Sequence, residues 1–204
     1  MRYGGVMTLP PRFLFGLGIA AATALAFGAT TAPAEPVMPG EEGALAAFAL
    51  PEPGNRVCFS RVYDEAHLKA HPKQKVTAMD LRIAYYKHDP DEYAPHGQRN
   101  YYFELDARLR GSDRVLSTGG ECSATDMNDT ISCMVECDGG GVVVKRLKKP
   151  GEILVDLQAF GRLRMTDSCD ADEEEYVELE PGADDKQFLL RETGADACLA
   201  YEDW

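Results

Sequence analysis

Two segments in which apolar and polar residues alternate constrain the fold of this chain more than any other feature. They span residues 76–88 and 100–110. One face of these segments carries the apolar side chains Met79, Leu81, Ile83, Tyr85, Tyr101, Phe103, Leu105, Ala107 and Leu109. Alternation with a period of two over this length is typical of β-strands with one buried face. The two segments therefore predict a pair of long, half-buried strands.

The charged residues on the opposite face predict how these two strands pair. Each candidate register sets different side chains directly opposite one another, and like charges in that position are unfavourable. Two other registers would place Asp80 opposite Asp106 or opposite Glu104. The remaining register, which we expect, has the pairs Arg82–Asp106, Asp80–Arg108 and Tyr86–Tyr102.

Short apolar runs separated by turn sequences continue this pattern along the chain. They occupy residues 115–124, 130–137, 142–147, 152–166, 177–179, 188–190 and 198–201. One short helix is expected after Asp64, which is suited to cap it, and the helix must end before Pro72. We expect an all-β fold, an antiparallel meander that closes into a small barrel or sandwich of about 8–10 strands, with one short N-terminal helix and three disulfides.

The N-terminal region predicts export. Arg2 and Arg12 supply a positively charged region before an apolar stretch at residues 13–28, and Ala32-Pro33-Ala34 is a suitable cleavage site. The apolar stretch is short for a membrane span. We therefore expect a periplasmic or secreted protein with no membrane span after signal cleavage. The expected organisation is a signal peptide at 1–34, a Pro- and Ala-rich tether at 35–55 whose apolar turn docks on the body, and a single β domain at 56–204.

The six cysteines all follow the predicted cleavage site. In an oxidising compartment such cysteines persist as disulfides. A two-residue turn at 127–128 would place Cys122 directly across from Cys133, whereas Cys137 and Cys169 would end strands at the same end of the sheet. A one-residue bulge would exchange partners between these two pairs. The expected disulfides are Cys122–Cys133, Cys137–Cys169 and Cys58–Cys198.

The formal net charge of −13 at pH 7 limits the class of partner. A polyanionic surface repels the phosphates of nucleic acids and anionic lipid headgroups. We therefore expect no nucleic acid as a partner, and a protein or an envelope polymer instead. The one basic segment, residues 145–149, is either a contact for an anionic envelope polymer or a solvated hairpin tip.

Motifs that would indicate catalysis or metal binding are missing from the sequence. It contains no C-x-x-C, G-x-S-x-G or S-x-x-K, so we assign no catalytic residue. His67 and His71 have the spacing of one helical face, but Leu68 occupies the position of the zincin glutamate. The acidic segment 167–175 does not fit an EF-hand loop, and a looser calcium site there stays open. We predict no metal and no cofactor.

A candidate binding surface lies at the loop between the two long strands. Two tyrosines would form an outward-facing aromatic pair beside this loop, which spans residues 89–99. Exposed aromatic residues on a rigid sheet next to a long loop are typical of recognition sites. The alternative is a cross-strand pair that the N-terminal tether covers. The candidate binding residues are Tyr86, Tyr93, His96, Arg99 and Tyr102.

These observations favour an exported, disulfide-stabilised, non-catalytic binding or inhibitor-type domain of the cell envelope. Its architecture is similar to that of small periplasmic inhibitors and lipocalin-like barrels. The alternatives are an envelope hydrolase that uses paired carboxylates and a structural envelope protein without a specific ligand. An open apolar cavity would favour small-ligand carriage. A filled barrel with a projecting loop would favour protein inhibition, and two carboxylates facing each other across a cleft would favour an enzyme.

Overall fold

An eight-stranded antiparallel β-barrel forms most of the part of the chain that this computed structural model describes. The described residues are 37–38, 40–136, 138–166 and 176–194, and all of them belong to one compact unit. Its strands are β1 (Arg56–Val62), β2 (Val76–Lys87), β3 (Arg99–Leu109), β4 (Val115–Ala124), β5 (Thr130–Met134), β6 (Gly141–Arg146), β7 (Glu152–Asp156), β8 (Leu163–Met165), β9 (Val177–Leu179) and β10 (Gln187–Thr193). The same residues contain a 3-10 turn, η1 (Leu45–Ala47), and a six-residue helix, α1 (Glu65–Ala70).

The barrel is a meander that β10 closes. The strand order around it is β1-β10-β7-β6-β5-β4-β3-β2, and β8 and β9 form a separate two-stranded sheet. The predicted all-β meander is therefore confirmed, and it closes into a barrel. The run at residues 152–166, predicted as a single strand, is instead two strands in different sheets. The chain turns between them at Gly161, whose φ of 73° is a conformation that suits glycine.

Side chains fill the interior of the barrel. The largest of them that are less than 2% exposed include Tyr101, Phe103, Phe188, Met79, Leu81, Ile83, Leu105, Ile131 and Ile153. Within each strand they occupy alternate positions, because successive side chains of a strand point to opposite faces. Eight strands make a barrel just wide enough for side chains to fill. The interior is therefore a packed core.

The register of β2 and β3 differs from the predicted one by two residues. The observed pairs include Asp80–Asp106, Arg82–Glu104, Ala84–Tyr102 and Tyr86–Asn100. The predicted pairs Arg82–Asp106, Asp80–Arg108 and Tyr86–Tyr102 are therefore wrong. Asp80 and Asp106 tolerate each other because Arg82 and the Ser117 hydroxyl group both bond to Asp106. On the interior face, the same register pairs large residues such as Tyr85 and Tyr101.

An apolar segment that precedes β1 seals one end of the barrel. Leu45 is 1% exposed and Phe48 is 8% exposed, and the Tyr101 hydroxyl group donates to the carbonyl oxygen of Ala49 at 3.1 Å. We call residues 44–49 the plug. The predicted docking of this apolar turn on the body is therefore observed. The turns that join β2 to β3, β4 to β5 and β6 to β7 lie at the same end.

The helix α1 lies between β1 and β2, at the opposite end. The carboxylate of Asp64 accepts a hydrogen bond from the backbone N–H of His67 at 2.7 Å, which is the cap that the sequence predicts. Asp185, which is fully buried, accepts from the backbone N–H groups of Lys75 and Val76. These bonds hold the segment before β10 against the start of β2.

One of the three predicted disulfides falls entirely within the described residues. Cys122 lies opposite Cys133 and is bonded to it, with the Cα atoms 4.0 Å apart. This separation is close to that of a non-hydrogen-bonded strand pair, about 4.5 Å, a position that suits a disulfide. Cys58 is also disulfide-bonded. The other three cysteines, the predicted signal peptide, the acidic segment 167–175 and the predicted strand 198–201 lie outside the described residues, so the Cys137–Cys169 and Cys58–Cys198 pairs stay predictions.

Candidate functional site

The candidate site lies on the outer face of β2, β3 and β4, and it includes the base and tip of the β2–β3 hairpin. At the base, the rings of Tyr86, His88 and Tyr102 cluster. The ring centroids of Tyr86 and His88 are 4.7 Å apart, and those of Tyr86 and Tyr102 are 6.3 Å apart. Both arrangements are within the range in which aromatic rings attract each other. The cluster is half-buried, so it is a rigid part of the surface.

A hydrogen-bonded chain runs through this cluster from β2 to β4. Nε2 of His88 lies 2.7 Å from the Tyr102 hydroxyl group, which also hydrogen-bonds the side chain of Glu121. Because an ionised carboxylate can only accept, the Tyr102 hydroxyl group donates to Glu121, and its oxygen accepts from the Nε2–H of His88. We call these three residues the relay. Asn100 donates to Glu121 as well, from Nδ2 to Oε1 at 2.9 Å.

The electrostatics of the relay centre on Glu121. Burial raises the pKa of Glu121 above its ordinary value, and the nearby charge of Glu136 adds to the rise. The hydrogen bonds from Asn100 and Tyr102, and the charge of His88, act in the opposite direction but do not cancel it. A carboxyl group whose pKa is raised takes up a proton at a less acidic pH. The relay therefore loses one acceptor when the solution becomes acidic.

A second polar cluster lies further along the same face, around Arg82. Its guanidinium group forms ion pairs with Glu104 and with Asp106, the latter at 2.5 Å, and these side chains are only 14–21% exposed. Ser117 donates to the other oxygen of Asp106 at 2.6 Å. Burial raises the pKa of Glu104 despite the attraction of Arg82, and Asp106 adds to the rise.

The chemistry of this cluster is that of a closed ion network. Burial alone would lower the pKa of Arg82, but Asp106 and Glu104 outweigh it and hold the pKa above its ordinary value. Both carboxylates therefore share one permanent cation. A glycosidase-type acid–base pair instead needs two carboxyl groups that face each other with room for substrate or water between them.

The tip of the hairpin is held in one shape and exposes a tyrosine. The carboxylate of Asp91 accepts from the backbone N–H groups of Tyr93 and Ala94 at 2.8 and 2.6 Å. The backbone N–H of His88 donates to the carbonyl oxygen of Gln98 at 2.8 Å, which continues the pairing of β2 and β3 into the loop. The side chain of Tyr93 at the tip is 88% exposed.

Gly97 is required for the shape of this loop. Its φ is 75°, and a Cβ atom at this position would lie 2.5 Å from the carbonyl oxygen of His88. A side chain here would therefore strain the backbone and collide with the base of the hairpin. The backbone of the tip is determined by these local contacts.

The predicted binding residues divide into two groups. Tyr86 and Tyr102 are diagonal neighbours on the outer face and do not form the directly opposed pair that the sequence predicts, because Tyr102 lies opposite Ala84. Arg99 begins β3 opposite Lys87. Tyr93 and His96 belong to the loop beyond this last strand pair, and both are exposed.

Two members of the relay, His88 and Glu121, are not among the predicted binding residues. A signal for His88 is present in the sequence, because the alternation on the outer face of β2 continues from Tyr86 to His88. Glu121 carries no comparable signal. Its position opposite Tyr102 depends on the register of β3 and β4.

His67 of α1 and His71, which caps the end of that helix, have their own partners. Nε2 of His67 lies 3.0 Å from Oε1 of Gln74, Nδ1 of His71 lies 2.9 Å from the carbonyl oxygen of His67, and the two rings stack 4.2 Å apart. Among the described residues, no group of three His, Cys, Asp or Glu side chains is arranged to hold a metal ion. Within the same part of the chain, no helix has the length and apolar character needed to cross a membrane.

Other apolar side chains are exposed at the end of the barrel that the plug seals. They are Met38, Leu50 and Met127, which are 59, 55 and 52% exposed. The basic segment 145–149 covers the end of β6 and part of the β6–β7 turn at this end, and part of its charge is compensated. Lys145 pairs with Asp129 at 3.7 Å, and Lys149 pairs with Glu152 at 2.7 Å.

No protein-family model, curated protein or solved structure matches this chain. The barrel and its surface define a small disulfide-bonded β-barrel with a braced, tyrosine-tipped hairpin.

Proposed function

We propose that this chain is an exported, non-catalytic binding domain of inhibitor type, which engages a protein partner through the tip of the β2–β3 hairpin. The observation that carries the proposal is the exposure of Tyr93, 88%, at the tip of a loop whose backbone is held by Asp91 and Gly97. Tyrosine is among the residue types that dominate binding energy at protein interfaces. Here it stands clear of the surface, where a pocket of a partner can enclose it.

The bracing of the loop supports this proposal. A loop that is already ordered loses little conformational freedom on binding, so more of the contact energy appears as affinity. The Asp91 turn orders the tip, and the relay orders the base because His88 bonds to both Tyr102 and the backbone of Gln98. The hairpin is therefore presented in one conformation before any partner arrives.

The surroundings of Tyr93 extend the proposed contact. Met38, Leu50 and Met127 are exposed at the same end of the barrel. Methionine and aromatic side chains are enriched at the centre of protein interfaces. Exposed apolar side chains of this composition suit contact with a protein better than contact with a polysaccharide.

The rest of the molecule fits a binding role better than the alternatives. The barrel interior is filled with side chains, which argues against carriage of an apolar ligand inside it. The two carboxylates Glu104 and Asp106 share Arg82, which argues against their use as an acid–base pair. Disulfide bonds at Cys122–Cys133 and at Cys58 suit an oxidising compartment such as the periplasm.

Site-specific photo-crosslinking in the native host tests the proposal. A photoreactive amino acid replaces Tyr93 in one variant and Val62 in a control. Val62 is 70% exposed but lies at the α1 end of the barrel. We expect a discrete crosslinked protein from position 93, at constant stoichiometry with this chain, and none from position 62. We expect fractionation of the same cells to recover the product from the periplasm or the medium.

The same experiment includes the results that would overturn the proposal. Crosslinks of identical pattern from both positions would indicate non-specific collision. The absence of any crosslink from position 93 would contradict a protein partner at the hairpin tip. Where a discrete product forms, Tyr93→Ala should abolish copurification of that protein, and Val62→Ala should leave it unchanged. A retained complex in Tyr93→Ala would place the contact elsewhere.

A further inference from the structure

A cavity of about 170 Å³ lies at the seam between the plug and the barrel wall. Ala47 and Phe48 of the plug line one side of it, and β1, β6, β7 and β10 line the other. Pockets for drug-sized ligands start at about 300 Å³. This cavity therefore has room only for a molecule of a few heavy atoms. Three charged side chains, Arg146, Glu152 and Glu192, line it together with apolar ones, which favours a ligand with charged groups.

Two opposite charges line this cavity. Arg146 follows Val142 and Val144 on the face of β6 that is buried in the barrel, and it is the last residue of its strand. Glu192 follows Phe188 and Leu190 on the corresponding face of β10. Both side chains therefore continue interior-facing rows at the point where the barrel opens, and both are exposed to solvent.

These two charges do not neutralise each other. β7 lies between β6 and β10 in the barrel, and Arg146 is level with Ile153 and Leu190. Glu192 therefore stands two strand spacings across and two residues along from Arg146, about 12 Å between Cα atoms. Within the described residues, no hydrogen bond or ion pair involves either side chain. Between them Gly151 has no side chain to fill the gap. A separated cation and anion thus face one small polar space.

The third charged side chain at the cavity, Glu152, already has ion-pair partners. Glu152 accepts from Lys149 at 2.7 Å and from Arg191 at 3.1 Å, and these hydrogen bonds hold its pKa below the ordinary value. Glu152 is therefore an ionised, paired carboxylate. Arg146 and Glu192 are the charges left to meet a ligand.

We propose that this cavity binds a small polar zwitterion with the size and charge of a short α-amino acid. Arg146 meets the carboxylate of the ligand, and Glu192 meets its ammonium group. A guanidinium group can hold a carboxylate through two parallel hydrogen bonds. This site is separate from the Tyr93 hairpin, and it holds or fails independently of the proposed partner.

Titration of the purified protein with L-serine, followed by amide NMR, tests the site. Ethanolamine lacks the carboxylate of serine, and 3-hydroxypropanoate lacks its ammonium group. We expect saturable shifts at the amides of Arg146, Gly151 and Glu192. Exposed ion pairs contribute up to about 1 kcal/mol, so each half-ligand should bind about two- to fivefold more weakly than serine. Equal binding of all three compounds would overturn the zwitterion proposal.

Charge variants assign the roles of the two side chains. Arg146→Gln should weaken serine and 3-hydroxypropanoate about two- to fivefold and leave ethanolamine unchanged. Glu192→Gln should weaken serine and ethanolamine and leave 3-hydroxypropanoate unchanged. Lys148→Gln, in the same turn but outside the cavity, serves as the control for loss of charge. Equal effects of Arg146→Gln and Lys148→Gln would show that binding depends only on net charge, and would overturn the direct contact with Arg146.

A steric variant tests the cavity without a change of charge. Ala47 lines the space from the plug, so Ala47→Leu should fill it and abolish the saturable shifts. The amide spectrum of the unliganded variant shows whether the barrel has kept its fold. Unchanged serine binding in a folded Ala47→Leu protein, or no saturable shift in the wild-type protein, would overturn the proposal.

Discussion

The hydroxyl group of Tyr102 lies 2.7 Å from Nε2 of His88, and it also hydrogen-bonds Glu121. One oxygen atom therefore connects side chains of three consecutive strands or their ends. The contact lies directly below the hairpin that carries Tyr93. Its removal affects both the stability of the barrel wall and the titration of Glu121.

Tyr102→Phe should destabilise the protein by about 1 kcal/mol, the usual contribution of a hydrogen-bonded hydroxyl group. It should also raise the pKa of Glu121 further, because the hydrogen bond from Tyr102 favours the ionised carboxylate. Urea denaturation measures the first effect, and carbon NMR of the carboxyl group measures the second. Tyr93→Phe is the matched control, since its hydroxyl group is exposed. Equal behaviour of the two variants would mean that the relay does not form.

The raised pKa of Glu121 predicts how stability depends on pH. The folded state holds this proton more tightly than the unfolded chain, whose pKa is near 4.5. The contribution of Glu121 to stability is therefore fully present below that value, and it is lost as the pH rises through the raised pKa of the folded state.

Substitution of Glu121 by glutamine should remove this contribution to the pH profile. The difference in unfolding free energy between Glu121→Gln and wild type should move in favour of the variant as the pH rises from about 4 to 7. Urea midpoints across this range measure it. Glu92→Gln, at an exposed position of the hairpin loop, is the control. A constant difference for Glu121→Gln across the range would contradict the raised pKa.

Arg82→Met should be the most destabilising of these substitutions. It leaves Glu104 and Asp106 without their shared cation although both are largely buried. Removal of one partner from a buried ion pair costs about 3 kcal/mol at neutral pH, and less in acid, where the carboxylates take up protons. Denaturation at two pH values measures the loss.

A triple variant separates the charge effect from packing. Arg82→Met combined with Glu104→Gln and Asp106→Asn removes all three charges with little change of volume. We expect the triple variant to regain most of the lost stability at pH 7. Replacement of a whole buried ion network by uncharged residues of similar volume often changes the free energy of unfolding very little. A triple variant as unstable as Arg82→Met alone would show that Arg82 acts through its packing.

Asp80→Asn distinguishes the observed strand register from the predicted one. In the structure Asp80 lies opposite Asp106, so removal of its charge should stabilise the protein by about 0.5 kcal/mol. If Asp80 instead lay opposite Arg108, as the sequence predicts, Asp80→Asn should destabilise the protein by a similar amount. Thermal or urea denaturation at low salt gives the sign directly, and high salt should reduce the effect.

The strand content and the closed β architecture were predictable from the sequence, because strict alternation over a segment as long as 76–88 fits a strand and does not fit a helix. The disulfide of Cys122 and Cys133 followed from the length of a single turn. The register of β2 and β3 did not follow, because the charge rule counts only directly opposite residues. Arg82 has a side chain long enough to bond diagonally to Asp106 while it faces Glu104.

The candidate site was predictable only in part. Tyr86 and Tyr102 are adjacent in the structure because they belong to the outer faces of neighbouring strands, which alternation indicates. The contact between Tyr102 and Glu121 depends on a second register, that of β3 and β4, which no pattern in the sequence determined. The cavity beside the plug was not predictable, because it depends on the place where residues 44–49 pack.

The closing contact of the barrel has a consequence for synthesis. The Thr193 hydroxyl group donates to the carbonyl oxygen of Cys58, across 135 residues of chain, and β10 fills the position between β7 and β1. A nascent chain that ends before residue 187 contains only seven of the eight barrel strands, and the outer edges of β1 and β7 are then unpaired. The ribosome must therefore deliver every residue from β1 through β10 before the barrel can close.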